Sequence, residues 1–202
     1  SSAAARLPEC VFLPTESENG AMSYRDFARK MPAFSKSRAV LAGCGMTDCT
    51  DTGNIIAELI KYGGYQLIID ADGLNSIKNR PELLKSAALP PVITPHIGEM
   101  SRLTGASADA IKSDREKTAA EFSRKYNCIT VLKDCKTVIS SPEGKLFVCD
   151  RPNAGLAKGG SGDVLSGIIS SFAAQGYDAF DAAVCGTALH SLAAESAREK
   201  LT

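Results

Sequence analysis

The chain has 202 residues, 44% hydrophobic and 23% charged, and its 23 basic residues balance its 23 acidic ones. That composition suits one sizeable globular core and is too short for two comfortable domains. Zero net charge argues against a nucleic-acid or membrane-surface binder, and no apolar run approaches the roughly 20 residues that cross a bilayer. Seven cysteines stand at positions 10, 44, 49, 128, 135, 149 and 185, none in a Cys-x-x-Cys pair, beside only two histidines. Neither a disulfide framework nor a zinc site is expected. Most of the thiols fall in apolar runs, as small hydrophobes would. The start, Ser1 to Pro8, lacks a basic start followed by an apolar core, so no signal peptide is expected, and the cysteine usage makes a reducing cytoplasm the expected compartment.

In chain order, Val11-Phe-Leu13 reads as a short strand and Tyr24–Met31 as a helix stopped by Pro32. Ala39–Ala42 is an apolar strand running into Gly43-Cys-Gly45. Ile55, Ile56, Leu59 and Ile60 mark a helix ended by Gly63-Gly64. Leu67–Ile69 is the next strand and delivers Asp70-Ala-Asp-Gly-Leu-Asn75. Pro81–Ala88 reads as a short helix with proline in its first turn. Val92-Ile93 is a third strand, leading to Thr94-Pro-His-Ile-Gly-Glu99, and a helix with Met100 and Leu103 closes at Gly105.

Ser113-Asp-Arg-Glu116 has the spacing of a capping box opening a helix to Tyr126. Cys128–Leu132 is a fourth buried strand ending in Lys133, and Lys136–Ser140 with Lys145–Cys149 forms a hairpin around Pro142-Glu-Gly144. From Val164 the apolar residues Leu165, Ile168, Ile169, Phe172 and Ala173 fall on one helical face. A last helix spans about Asp178 to Arg198, with Ala182, Ala183, Gly186 and Ala193 as a small inner face.

Strands that are continuous apolar runs, alternating with helices, predict an α/β fold with a mostly parallel central sheet and helices on both faces. Ligands bind such sheets beyond the carboxyl ends of the strands. Gly43–Gly45, Asp70–Asn75, Thr94–Glu99 and Lys133 all follow strands directly, so they line one edge. Each also has a plain structural alternative: a tight turn, capping carboxylates, a packed histidine, a solvated lysine. Asp70 and Asp72 could also hold Mg²⁺ through water. His190 is read as structural.

The richest stretch is Asn153-Ala-Gly-Leu-Ala-Lys-Gly-Gly-Ser-Gly-Asp-Val-Leu-Ser-Gly167. It is a glycine loop feeding a helix, whose first N–H groups lack internal partners and suit a phosphate. Asp163 at that helix start could take the proton of an attacking hydroxyl. No Lys-Ser/Thr pair follows the last glycine, so the loop is not a Walker A.

Taken together and in this order, the five motifs resemble the ADP/ATP-dependent NAD(P)H-hydrate dehydratases, over roughly residues 38 to 198. That resemblance implies a ribokinase-like fold, with residues 1–202 forming a single domain. It implies repair of hydrated NADH or NADPH, with phosphoryl transfer to the hydrate's hydroxyl followed by elimination. By resemblance Asp163 is the base, and Gly45, His96 and Asp163 contact the hydrate. Lys133, Asp134, Cys135, Lys136, Thr137, Asn153, Gly160, Ser161 and Gly162 bind ADP or ATP. Mg²⁺ is implied through the nucleotide phosphates, with no protein metal ligands; Asp72 and Glu99 would support that region. A homo-oligomer, a tetramer in the family, is implied, with no nucleic-acid or membrane partner.

The chain departs from the family at Cys44, where proline is usual, at Asp134, where glycine is usual, and at Ser191, where glycine is common. The Asp134 change puts a carboxylate near the nucleotide. The family's opening strand and helix would precede Ser1 and its final segment would follow Thr202, leaving a sheet edge to be covered. Two alternatives stand beside the dehydratase: a small-molecule kinase of the same superfamily, and a nucleotide-binding protein without turnover.

Overall fold

The computed structural model describes residues 5–18 and 20–201. Its centre is a six-stranded sheet in the order β3-β4-β5-β6-β7-β8: Ala39–Ala42, Gln66–Ile69, Val92–Ile93, Ile129–Leu132, Thr137–Ser140 and Leu146–Cys149. β3 to β6 run parallel, and β7 and β8 complete the sheet as an antiparallel hairpin. A separate small hairpin, β1 (Ser17–Glu18) with β2 (Ala21–Met22), precedes it.

The continuous apolar strands are explained by burial on both faces. Leu67, Ile69, Ile93, Leu132 and Val138 point into one core, while Ile68, Val92, Ile129, Val131 and Ile139 point into the other. Successive strand side chains face opposite ways, so only an apolar residue at every position feeds both. The first core is covered by α1 (Tyr24–Lys30), α2 (Thr50–Tyr62), α3 (Ala71–Ser76), α4 (Ile97–Thr104), α5 (Ala108–Ser113) and α6 (Arg115–Tyr126). The second is covered by α7 (Ser161–Ala174) and α8 (Ala179–Leu201). Ile55, Ile56, Leu59 and Ile60 form the buried stripe of α2, which ends at Gly63 in a positive-φ conformation. A Cβ on Gly186 would lie 2.6 Å from Ile169, so glycine there lets α8 sit closely on α7.

Several expectations need correction. Val11–Leu13 is no strand; Val11 is 89% exposed and the strand pairing falls instead at β1 and β2, because three apolar residues without a partner strand gain nothing from extension. Pro81–Ser86 is a 3₁₀ turn rather than an α-helix. Ser113 ends α5, and Asp114 alone caps α6 by accepting from the Lys117 amide at 3.2 Å; with a lysine at the third helical position no reciprocal capping box forms at this start. The buried face of α8 runs through Ala182, Ala183, Thr187 and Ser191, and Ala193 is exposed. Only Cys128 and Cys149 are buried, so most thiols are not core hydrophobes. No helix among the described residues is long and apolar enough to cross a membrane.

Candidate active site at the carboxyl edge of the sheet

The polar clusters do gather along the carboxyl edge of β3 to β6. Asp70, directly after β4, is the hub. Its side chain is buried, and Oδ1 accepts from Lys133 Nζ at 2.9 Å and from the Ala71 amide at 2.8 Å. Oδ2 accepts from Ser166 Oγ at 3.0 Å. Lys133, at the end of β6, is thus the partner that makes a buried carboxylate tolerable. Ser166 ties the first turns of α7 to the hub, since its Oγ also lies 2.9 Å from the Gly162 carbonyl.

Backbone shape enforces the approach. Gly43 has φ +117°, and a Cβ there would come within 1.9 Å of the Asp70 carbonyl oxygen. No other residue fits without moving β3 from α3. Thr47, in the same turn, takes φ +69° and donates its amide to Asp72 Oδ2 at 2.8 Å, so Asp72 acts on the turn that carries Gly45.

α7 begins at Ser161, three residues earlier than its apolar stripe suggests, with Gly160 at the N-cap in left-handed conformation. Gly162 and Asp163 therefore belong to the first helical turn, where backbone N–H groups lack intrahelical acceptors. A Cβ on Gly162 would meet Lys133 Nζ at 3.2 Å, which puts the lysine's charge beside that turn. Asp163 is exposed, and its carboxylate, the Asp70 carboxylate and Cys44 Sγ lie within 4.8 Å of one another. Burial pushes the Cys44 thiol up to about 11, and neighbouring Asp70 and Asp163 add to the rise. Cys44 is thus a neutral thiol at pH 7. It stands at this corner beside Ser166 Oγ, 3.8 Å away.

His96 caps α4. Its Nδ1 accepts from the amides of Gly98 (2.9 Å) and Glu99 (3.2 Å), while Glu99 Oε2 accepts from the His96 amide at 2.8 Å. The capping box sought at Ser113 is here. Two N–H donors on Nδ1 leave the ring proton on Nε2. Burial holds the His96 pKa below its ordinary value, and Lys133 and Arg102 lower it further; burial raises that of Glu99. A ligand at His96 meets a neutral imidazole.

From His96 a cleft of about 940 Å³ runs past Lys133 to Thr137 and Cys149. Of the expected nucleotide residues, Lys133, Asp134, Cys135, Thr137, Asn153, Ser161 and Gly162 line it, as does His96. Lys136, Gly45, Gly160 and Asp163 are not among its lining residues; Lys136 Nζ is engaged by Asp150 at 2.6 Å. Asp134 is not a loose carboxylate facing a phosphate. Burial raises its pKa, but Arg115 and the Cys135 amide outweigh that and the net shift is downward. Arg115 Nε donates to it at 2.8 Å, neutralising its charge locally. His190, read from sequence as structural, stands in the cleft wall. Ser166 and Thr187 were missed too. Ser166 could have been found from its place on the inward face of α7 beside Leu165 and Ile169; no local signal marks Thr187.

The model of a family described as NAD(P)H-hydrate dehydratase matches residues 7–202. The chain belongs to this family. It is 34% identical, over 96% of its length, to the bifunctional NAD(P)H-hydrate repair enzyme Nnr of Thermofilum pendens, and covers 37% of that relative. It is 35% identical to the ADP-dependent (S)-NAD(P)H-hydrate dehydratase of Neisseria meningitidis serogroup B, over 86% of this chain and 60% of the relative. The chain therefore spans between about a third and three-fifths of these two relatives. A ribokinase-like superfamily protein from Enterococcus faecalis superposes with a TM-score of 0.80 at 24% identity, covering 98% of this chain and 66% of that one. The fold expected of a dehydratase-family member is the one observed.

Proposed function

We propose that this chain carries out nucleotide-dependent dehydration of NAD(P)H hydrate, as a lyase that restores NADH or NADPH at the expense of ADP or ATP. The observation that supports it best is the corner where Asp163, the open first turn of α7 and Lys133 meet. Asp163 would take the proton of the hydrate's hydroxyl as that oxygen attacks the terminal phosphorus of the nucleotide. The phosphorus–bridging-oxygen bond breaks, AMP or ADP leaves, and the hydroxyl becomes a phosphate ester. Elimination of that phosphate, with loss of the neighbouring ring proton, restores the dihydronicotinamide. Amides of Gly162 and Asp163 with Lys133 would hold charge on the transferring group. Gly45 and His96, from the turns after β3 and β5, would contact the hydrate.

The residues fit Mg²⁺ held through the nucleotide. Asp70 is committed to Lys133 and Ser166, and a thiol is a poor ligand for a hard cation, so Cys44, Asp70 and Asp163 do not make a direct Mg²⁺ site. Exposed Val164, Leu189 and Leu192 support assembly of identical subunits, and the reading places the enzyme in the cytoplasm. The test follows recovery of dihydronicotinamide absorbance from NADPH hydrate with Mg²⁺ and ADP or ATP. Nucleotide-dependent recovery is expected. Nucleotide binding without recovery under either donor would favour the non-catalytic reading and overturn this one.

A further inference from the structure

Among the described residues, two buried side-chain polar atoms have no hydrogen-bond partner: Asn153 Nδ2 and Thr187 Oγ1. Both line the same cleft. Buried polar groups are nearly always satisfied, so two exceptions in one cavity point to something that enters it. Asn153 cannot answer by flipping its amide, because its Oδ1 accepts from the Gly155 amide at 3.0 Å and fixes Nδ2 as a donor in need of an acceptor. Thr187 is 2% exposed and sits mid-helix, where a threonine hydroxyl ordinarily donates to the carbonyl four residues back. It does not do so here.

Their neighbours indicate which part of a ligand they meet. Lys112 and Arg151 also line the cleft, Arg151 paired with Glu195 at 2.7 Å, and Lys133 stands beside the first turn of α7. Beyond it the wall is formed by Leu156, Leu165, Cys149 and Thr137, at the β7–β8 side of the sheet. Ser191, one turn after Thr187 on the same helix face, lies 3.5 Å from Cys149 Sγ and marks that side. We infer that Thr187 and Asn153 Nδ2 are specificity contacts for the nucleoside half of a nucleoside diphosphate or triphosphate, with its phosphates toward Lys133. This deepens the nucleotide reading above and rests on it.

The experiment compares wild type with Thr187→Val, Thr187→Ser and Asn153→Asp. Valine keeps the shape and removes the hydroxyl, and aspartate keeps the Gly155 cap while removing the donor. ADP affinity is measured by calorimetry, and inorganic pyrophosphate is titrated against a fluorescent ADP analogue. Thr187→Val should weaken ADP about 5- to 20-fold, the loss of one buried hydrogen bond, while its unliganded melting temperature stays level or rises. A merely structural hydroxyl would not move the two in opposite directions. Thr187→Ser should recover most of the affinity, and Asn153→Asp should lose at least about tenfold. Pyrophosphate should compete equally against wild type and Thr187→Val, or not at all. Wild-type ADP affinity in Thr187→Val, or pyrophosphate weakened in step with ADP, would overturn the inference. Failure of the wild type itself to bind either ADP or ATP would overturn the nucleotide reading, and this inference with it.

Discussion

The two ends of the site differ in how their polar groups are satisfied. At the β3–β4 end the chain supplies the partners itself: Asp70 has Lys133, Ser166 and an amide, Asp72 has the Thr47 amide, and Gly43 admits the Asp70 backbone. At the β7–β8 end Asn153 and Thr187 are left with unfilled valences. Groups around developing charge act best when prepaid by folding, because they need not reorganise during reaction. A binding wall can instead keep its polar atoms for the ligand and accept a cost in stability when empty.

The sharpest way to break the first end is Asp163→Asn. It removes the proposed base and leaves the helix start and Lys133 in place, so turnover should fall about 10³-fold or more, while ADP affinity changes little. Single-turnover kinetics with calorimetry checks this, and a loss of affinity as large as the loss of turnover would refute the assignment.

A smaller effect, now on stability, is expected from Lys133→Met. It leaves the Asp70 carboxylate buried without its countercharge and should cost about 3–5 kcal/mol in denaturant unfolding. Adding Asp70→Asn should return part of that loss. If the double variant is no more stable than the single one, the pair is not coupled as the geometry demands.

The smallest effect is pH dependence. His96 and His190 both have pKa values held below the ordinary 6.5, chiefly by burial and further by Lys133. As pH falls through 6.5 the unfolded chain takes up protons that the folded chain refuses, so stability should drop between there and the lower folded values. Glu99, raised by burial from 4.5, works the other way, and its stabilisation is lost as pH rises through its folded value. His96→Asn keeps a cap acceptor without a titrating ring and should reduce the histidine part of the profile to the share of His190 in unfolding midpoints taken from pH 7.5 down to 5.5.

Local order carried much of the fold. The apolar runs at Ala39–Ala42, Leu67–Ile69 and Cys128–Leu132 announced a sheet buried on both faces, and the polar residues just after each strand announced the edge where the candidate site gathers. Periodicity erred where it rested on few residues. Val11–Leu13 had no partner strand to pair with, and the start of α7 was hidden because Ser161 and Gly162 carry no apolar side chain to mark the period.

What the sequence by itself determined, then, was the strand–helix alternation, the family through its ordered motifs, and the polar residues that follow the strands, because these depend on chain neighbours. Only the tertiary structure decided that Lys133 is the partner of Asp70, that Arg115 neutralises Asp134, and that Thr187 joins Asn153 in the cleft. The paired residues stand 63 and 19 positions apart. Charge pairing and burial are properties of neighbours in space, and no spacing along the chain encodes them.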